Sequence, residues 1–424
     1  MAISSISGNG IGLHYADASG ELPTIIGSEE RSRMGMKRDR AVAAITGSGA
    51  TPYYFRGESA PQTQLELVEK ALLAAATDAG ITVDEIDGLA FFAFGFDTAM
   101  IIEQLGLKNI TFAHCVSSFG SGMAGMLDLA SMAIATGRAK HVACIGAMQQ
   151  VARRVGQSLG NFAASPDNIF HRIAGLQGPG QALALQVRRH MHLYGTRREA
   201  FGEVVMASRA YASTRETAFR RKPLTLEDYM ASPMLADPLC RLDFCLETDG
   251  ALAFVASGVD QARDMPHKPV YIAAAAQVGT SDWGRAFLWF GQSEEMFTTA
   301  GAAPTAQRLY EIAGMSPKDI DVALLYDHFA PLVIMQLEDY GFCKPGEGGP
   351  FVESGAIRPG GSIPVNPHGG HLSEAYVVGM THIREAVEQL RGVAINQVAG
   401  AKTALVTGGP APTPMTGAIL RTEP

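Results

Sequence analysis

Residues 366–376 read Asn366-Pro-His-Gly-Gly-His-Leu-Ser-Glu-Ala-Tyr376, a turn with paired glycines followed, ten residues after the asparagine, by an ionisable phenol. Glycine lacks a Cβ, so Gly369 and Gly370 let backbone come close to a ligand. Their N–H groups, with Asn366, are candidate donors to a developing oxyanion. A phenol has an unperturbed pKa of about 10. It is a poor nucleophile for acyl transfer near neutrality, but a usable proton donor or acceptor once tuned. A second phenol, Tyr326, sits fifty residues earlier in Leu325-Tyr-Asp-His-Phe-Ala330, beside Asp327 and His328. His328, His368 and His371 are candidates to lower or orient a phenol pKa, or are plain structural hydrogen-bonders. A third run, Gly120-Ser-Gly-Met-Ala-Gly125, matches G-x-G-x-x-G by letters. A dinucleotide site needs an acidic residue about 20 positions on, and Ile145 stands there. The run reads better as a helix N-terminus, from near Ser121 to Thr136. The N–H groups of Gly120 and Ser121 there suit an anion or a thioester oxygen, unless the glycines serve packing alone.

These segments need a scaffold, and the chain repeats itself. Residues 79–89, AGITVDEIDGL, parallel 313–324, AGMSPKDIDVAL; residues 139–146, AKHVACIG, parallel 401–408, AKTALVTG. In the first pair a helix-like stretch (64–79 or 305–314) precedes and an apolar strand (88–94 or 322–326) follows. Alternating strands and helices imply parallel strands with helical crossovers. The reading is α/β, with an extension at 1–36 and two homologous halves at 37–265 and 266–424. An inserted region at about 150–235 carries helical patterning at 181–194 and 198–213, and either covers a site or caps the fold. Helices are also expected at 331–340 and 374–391.

Composition sets the bounds. The 424 residues are 47% hydrophobic and 18% charged, with net charge −8, a globular balance that argues against nucleic acid as the main partner. No apolar run is long enough to span a bilayer, and the N-terminus lacks a secretory pattern. Five cysteines without zinc-ribbon spacing imply a reduced, cytoplasmic setting and buried structural thiols. No metal site is expected in this chain.

Four motifs, in order, resemble the thiolase superfamily over about 37–422. Asn366–Tyr376 is similar to the C-terminal active-site loop of thiolases, which ends in a catalytic His; Tyr376 stands there. Leu325–Ala330 resembles the His-Asp-Cys-Phe segment of the thiolases linked to sterol carrier proteins. Tyr326 fills the His position and His328 the Cys position, while Asp327 and Phe329 agree. The Thr248-Asp-Gly-Ala251 segment resembles the family's Ser/Thr-Asp-Gly-Ala turn before a strand at 251–256, and reads as scaffold. The family's nucleophilic Cys would fall at Gly120, counting back from Gly137; Cys115 lies five positions earlier. Val406–Met415, where thiolases place a second Cys, contains none.

Two tyrosines at two former His positions, with no thiolate in place, resemble the steroid side-chain-cleaving aldolases, the lipid-transfer-protein-type thiolase homologues. The resemblance implies a five-layered α-β-α-β-α thiolase fold. It implies retro-aldol cleavage of a β-hydroxyacyl-CoA with a steroid-like or branched side chain, giving a ketone or aldehyde and a short acyl-CoA such as propionyl-CoA. Tyr376 would be the main proton-transfer residue and Tyr326 its partner. It further implies a homodimer joined by a separate small OB-fold subunit with a zinc ribbon, of the domain-of-unknown-function-35 type, in a heterotetramer. Zinc would belong to that subunit, and coenzyme A would enter as part of the substrate, with no tightly bound cofactor. Arginines between 153 and 222 are candidates for its phosphates. Two other readings stand beside this one: an acyltransferase or thiolase using Cys115, and a non-catalytic acyl-CoA- or lipid-binding subunit.

Overall fold

The computed structural model describes residues 41–93, 97–116, 122–151, 154, 173, 175–176, 178–279, 298–409 and 415–424. The extension at 1–36 and the candidate donors Gly120 and Ser121 lie outside the described residues. The strands are β1 (Ala43–Ala50), β2 (Tyr54–Phe55), β3 (Gly88–Ala93), β4 (Phe112–Cys115), β5 (His141–Met148), β6 (Met234–Ala236), β7 (Leu239–Cys240), β8 (Thr248–Gly258), β9 (Val270–Val278), β10 (Val322–Leu324), β11 (Thr403–Gly408) and β12 (Met415–Arg421). The helices that bear on the site are α1 (Gln64–Ala79), α2 (Gly122–Ala135), α3 (Pro179–Tyr194), α4 (Arg198–Ala212), α5 (Ala303–Ala313), α6 (Ala330–Asp339), α7 (Gly370–Ser373) and α8 (Met380–Arg391).

Strands run in the order β10-β11-β12-β9-β1-β8-β5-β3-β4, with β2 off the edge of β8 and β6-β7 a separate hairpin. Apart from β4, an extra parallel strand at one edge, the order is symmetrical about the β9–β1 contact. Moving outward on either side come two antiparallel pairings, then a parallel one. Helix α1 covers β1, β8 and β5, whereas α5 covers β9 and β12. Helices α2 and α8 each touch strands of both runs. The layers are therefore helix, sheet, helix, sheet, helix. Residues 38–424 form one compact unit.

Local chemistry repeats along with the topology. Both α1 and α5 end on a left-handed glycine, Gly80 (φ 71°) and Gly314 (φ 65°). Each is followed by a one-turn 3₁₀ helix capped by its own carboxylate, Glu85 on Thr82 and Asp319 on Ser316.

Two expected elements differ in extent, for related reasons. The strand expected at 322–326 stops at Leu324. Beyond it, side chains replace strand partners: the Leu325 N–H donates to Asn366 Oδ1 (2.8 Å), and the Tyr326 N–H to Thr407 Oγ1 (2.8 Å). The helix expected from Glu374 begins only at Met380. Val378 (φ 43°) and Gly379 (φ 83°) break it, and the backbone of Tyr376 is engaged by Thr248 instead. A positive φ is a strained state for a β-branched residue. The strand expected at 251–256 spans Thr248–Gly258 and is buried throughout.

Candidate active site

The two phenols meet at the end of the second run of strands. Tyr326 Oη and Tyr376 Oη lie 3.0 Å apart, a hydrogen bond in which either oxygen can donate. Their rings stand nearly perpendicular, at 82°. Tyr326 is buried and Tyr376 partly exposed.

Each tyrosine is held by its backbone. A closed ring of hydrogen bonds fixes Tyr326. Its N–H donates to Thr407 Oγ1, that hydroxyl donates to Gln336 Oε1 (2.6 Å), and Gln336 Nε2 donates back to the Tyr326 carbonyl (2.9 Å). Its ring fits a slot between two glycines. A Cβ on Gly379 would fall 2.9 Å from Tyr326 Cε2, and one on Gly409 would fall 2.7 Å from Cδ1. Tyr376 is clamped by one hydroxyl: Thr248 Oγ1 accepts from the Tyr376 N–H and donates to its carbonyl, both at 2.8 Å.

Asp327 organises what lies behind the phenols. Its carboxylate accepts from the N–H groups of His371 (2.9 Å) and Leu372 (3.3 Å), at the start of α7. The approach is so close that a Cβ on Gly370, already at φ 61°, would fall 2.1 Å from Asp327 Oδ2. Only glycine fits there. Asp327 Oδ1 is also 3.2 Å from His371 Nδ1 and from His382 Nε2. The His371 ring stands edge-on to both phenols, at 4.7 Å from Tyr326 and 5.0 Å from Tyr376, and His328 lies 5.0 Å from Tyr326. His368 packs on His382 at 4.8 Å, one ring further back.

Asp327, His371 and His382 bring ligand atoms within 4.8 Å of one another, the spacing a cation would need. His382 Nε2, however, lies 2.8 Å from the Leu325 carbonyl. That contact requires a proton on the nitrogen a metal would take. The trio therefore reads as a hydrogen-bonded support.

Burial dominates the electrostatics. It holds both phenols above their ordinary value, with their mutual contact adding to the rise at Tyr326. It pushes His328 down to about 3 and holds His368 and His371 well below the usual imidazole range. Neutral imidazoles cannot lower a phenol pKa by charge. The expectation that these histidines do so gives way to one of orientation and packing.

Other candidates also change role. The Asn366 amide accepts from the Leu325 N–H and donates to the Leu325 carbonyl, both at 2.8 Å. It splints the backbone next to Tyr326, which uses one of its two amide N–H donors. The Gly369 N–H donates to the Asn366 carbonyl (2.8 Å), which withdraws it as an oxyanion donor. Among the arginines of 153–222, Arg215 is buried among carboxylates and is unavailable to a phosphate. Cys144 and Cys240 are buried, Cys245 and Cys343 are partly so, and Cys115 on β4 is exposed rather than buried. Partial burial raises the Cys115 thiol, the reverse of what activates a nucleophile.

Several contributors carry no sequence signal strong enough to single them out. Thr248 lies in the turn read as scaffold, and His382 lies on α8. Cys245, whose N–H donates to the His328 carbonyl (3.0 Å), lies behind the phenols with its thiol pushed up to about 12 by burial.

Comparison with known proteins follows the same line. The thiolase C-terminal domain-like family model matches residues 289–419. The 17-hydroxy-3-oxo-4-pregnene-20-carboxyl-CoA lyase of Mycobacterium tuberculosis is 37% identical over 89% of this chain and 98% of that protein. The steroid side-chain-cleaving aldolase of Thermomonospora curvata is 36% identical over 89% of this chain and 97% of that protein. A solved Ltp2-ChsH2(DUF35) aldolase superposes with a TM-score of 0.82 at 36% identity, covering 90% of this chain and 97% of that one.

Proposed function

Because this chain belongs to the thiolase superfamily, alongside the steroid side-chain-cleaving aldolases, we infer that it is a carbon–carbon lyase. It cleaves a β-hydroxyacyl-CoA with a steroid-like or branched side chain into a ketone or aldehyde and a short acyl-CoA such as propionyl-CoA. The observation that carries the reading is the 3.0 Å contact between Tyr326 and Tyr376.

Cleavage needs the β-hydroxyl proton removed and the departing Cα protonated. No covalent intermediate is required. Both phenols are held above their ordinary pKa, so Tyr376 is neutral before substrate binds. A neutral phenol accepts a proton only as it gives one up. Tyr376 takes the β-hydroxyl proton and yields its own towards Cα as the Cα–Cβ bond breaks. The net change is one proton moved from oxygen to carbon. Tyr326, fixed behind it, keeps the Tyr376 oxygen oriented and shares its charge as protons move. Asp327 and His371 hold the loop that carries Tyr376. Coenzyme A is part of the substrate, and no tightly bound cofactor enters the scheme.

The expected assembly is a homodimer joined by a separate small OB-fold subunit with a zinc ribbon, of the domain-of-unknown-function-35 type, in the cytoplasm. The solved relative, an Ltp2-ChsH2(DUF35) aldolase, carries a component of that type in its name, which supports the expectation. The test is to co-purify the chain with such a subunit and supply a 17-hydroxy steroid side-chain CoA thioester. Equal yields of 17-ketone and propionyl-CoA by mass spectrometry are expected. Acyl transfer from acetyl-CoA without ketone release would overturn the reading, as would tight substrate binding without turnover.

A further inference from the structure

Tyr376 lies in the short bridge, residues 374–377, between α7 and the strained turn at Val378–Gly379. Its own helix does not hold it, so something outside the bridge must. One anchor is Thr248. The other comes from the inserted region, where residues 215–220 run alongside 373–374. The Phe219 N–H donates to the Glu374 carbonyl (3.2 Å), and the Arg220 N–H donates to the Ser373 carbonyl (2.9 Å). The Thr217 hydroxyl donates to Glu374 Oε1 (2.7 Å).

Arg215, 2% exposed, anchors this strap in the interior. Its Nε donates to Glu374 Oε1 (2.9 Å), its Nη1 to Glu385 Oε2 (2.9 Å), and its Nη2 reaches Glu388 Oε2 (3.4 Å). Glu385 and Glu388 belong to α8, which follows the bridge. Arg384, the second guanidinium of the cluster, pairs with Glu388 (2.7 Å) and donates to the Tyr53 hydroxyl (3.2 Å). Taking a guanidinium and carboxylates out of water costs several kcal/mol per ion and is offset only by close, multiple contacts. Ion pairs of this kind contribute little net stability, and their better-attested use is to fix one arrangement. What this one fixes is the carboxylate two residues before Tyr376, tied to the helix four residues after it.

We propose that Arg215 is a positioning residue for Tyr376: it locks Glu374 against α8 and so sets the reach of the Tyr376 phenol towards Tyr326 and the substrate. This deepens the aldolase reading and rests on it. Arginine is required because one planar fork serves three acceptors, whereas a lysine ammonium presents a point charge with no such geometry.

The test compares Arg215→Lys with Arg391→Gln in the complex with the zinc-ribbon subunit. Steady-state kinetics, the melting temperature and amide hydrogen exchange of the peptide covering 373–379 are read for each. Arg215→Lys should lower kcat about 10- to 100-fold, since a displacement of about 1 Å can cost 100-fold, with KM near the wild-type value. Exchange over 373–379 should rise while the sheet stays protected. Arg391→Gln breaks the ion pair between α8 and Asp78 (2.7 Å), a contact of the same helix that does not touch Glu374 or Arg215. It should lower the melting temperature and leave kcat within about twofold. Equal losses of kcat in the two variants, tracking their stability, would reduce Arg215 to a structural ion pair and overturn the proposal. So would unchanged exchange at 373–379 in Arg215→Lys. Exchange needs no turnover, so the proposal can fail or stand even if the wild-type complex proves not to be an aldolase.

Discussion

Removing single oxygens from the phenol pair should have very unequal effects. Tyr376→Phe deletes the partly exposed group that handles the proton. The expected loss in kcat is about 10²- to 10⁴-fold. It also leaves the buried Tyr326 hydroxyl without its 3.0 Å partner, at a cost of about 1–3 kcal/mol in stability. Tyr326→Phe removes one neutral hydrogen bond to Tyr376, worth about 1 kcal/mol. That converts to roughly fivefold in kcat, with KM unchanged. The pH profile then decides how Tyr376 works. If the base were tyrosinate, burial has raised its pKa above 10, and kcat/KM would climb tenfold per pH unit, about 100-fold between pH 7 and 9. If neutral phenol accepts one proton as it donates another, the profile is flat within about twofold over that range. The assay is product release by mass spectrometry at fixed ionic strength, for wild type and both variants. A unit slope would refute the neutral-phenol scheme, and full activity in Tyr376→Phe would sink the mechanism altogether.

Thr248→Val keeps shape but strips the Tyr376 backbone of both 2.8 Å contacts. It should destabilise by about 1–3 kcal/mol and cut kcat at least tenfold; wild-type kcat would show that the clamp is not needed. Gly409→Ala places a methyl 2.7 Å from the Tyr326 ring. The overpacking should cost about 1–3 kcal/mol in stability, so a Gly409→Ala variant as stable as the wild type would disprove the tight slot. Seven phenols (Tyr53, Tyr211, Tyr229, Tyr310, Tyr326, Tyr340 and Tyr376) are held above the ordinary value by burial. The folded chain keeps those protons where the unfolded chain releases them. Stability is therefore intact below pH 10 and falls above it, by up to about 1.4 kcal/mol per pH unit for each phenol. Tyrosine absorbance near 295 nm and circular dichroism should change together there, and tyrosines titrating ahead of unfolding would contradict the burial argument.

The scaffold was more legible in the residues than the site. Helix α1 has a Thr63–Glu66 capping box at one end and Gly80 at the other, so local chemistry marks its ends. The paired segments 79–89 and 313–324 exposed the internal repeat. The phenols stood out because their residue types depart from a recognisable pattern. What the sequence hid were contacts between distant segments. Nothing near Thr248 announces that its hydroxyl grips residue 376, and nothing near Arg215 announces three carboxylates 159 to 173 positions away. Asn366 and Gly369 show the converse. Their types suit ligand contact, but the fold uses their hydrogen bonds for its own backbone. Helix α8 was expected six residues too early because residue propensities do not register a positive φ at Val378.

The repeat also separates two histories within one chain. Extending the match from Ala79 and Ala313 sets Phe92 opposite Tyr326. The surroundings correspond: a Cβ on Gly122, which opens α2, would fall 2.6 Å from the Phe92 ring, as one on Gly379, just before α8, would crowd Tyr326. The fold thus holds two copies of one aromatic slot, and only one of them carries an oxygen. A duplicated architecture lets one copy take on chemistry while the other is selected for packing alone. At position 92 any side chain that fills the volume suffices for packing, whereas at 326 the added hydroxyl reaches the Tyr376 oxygen.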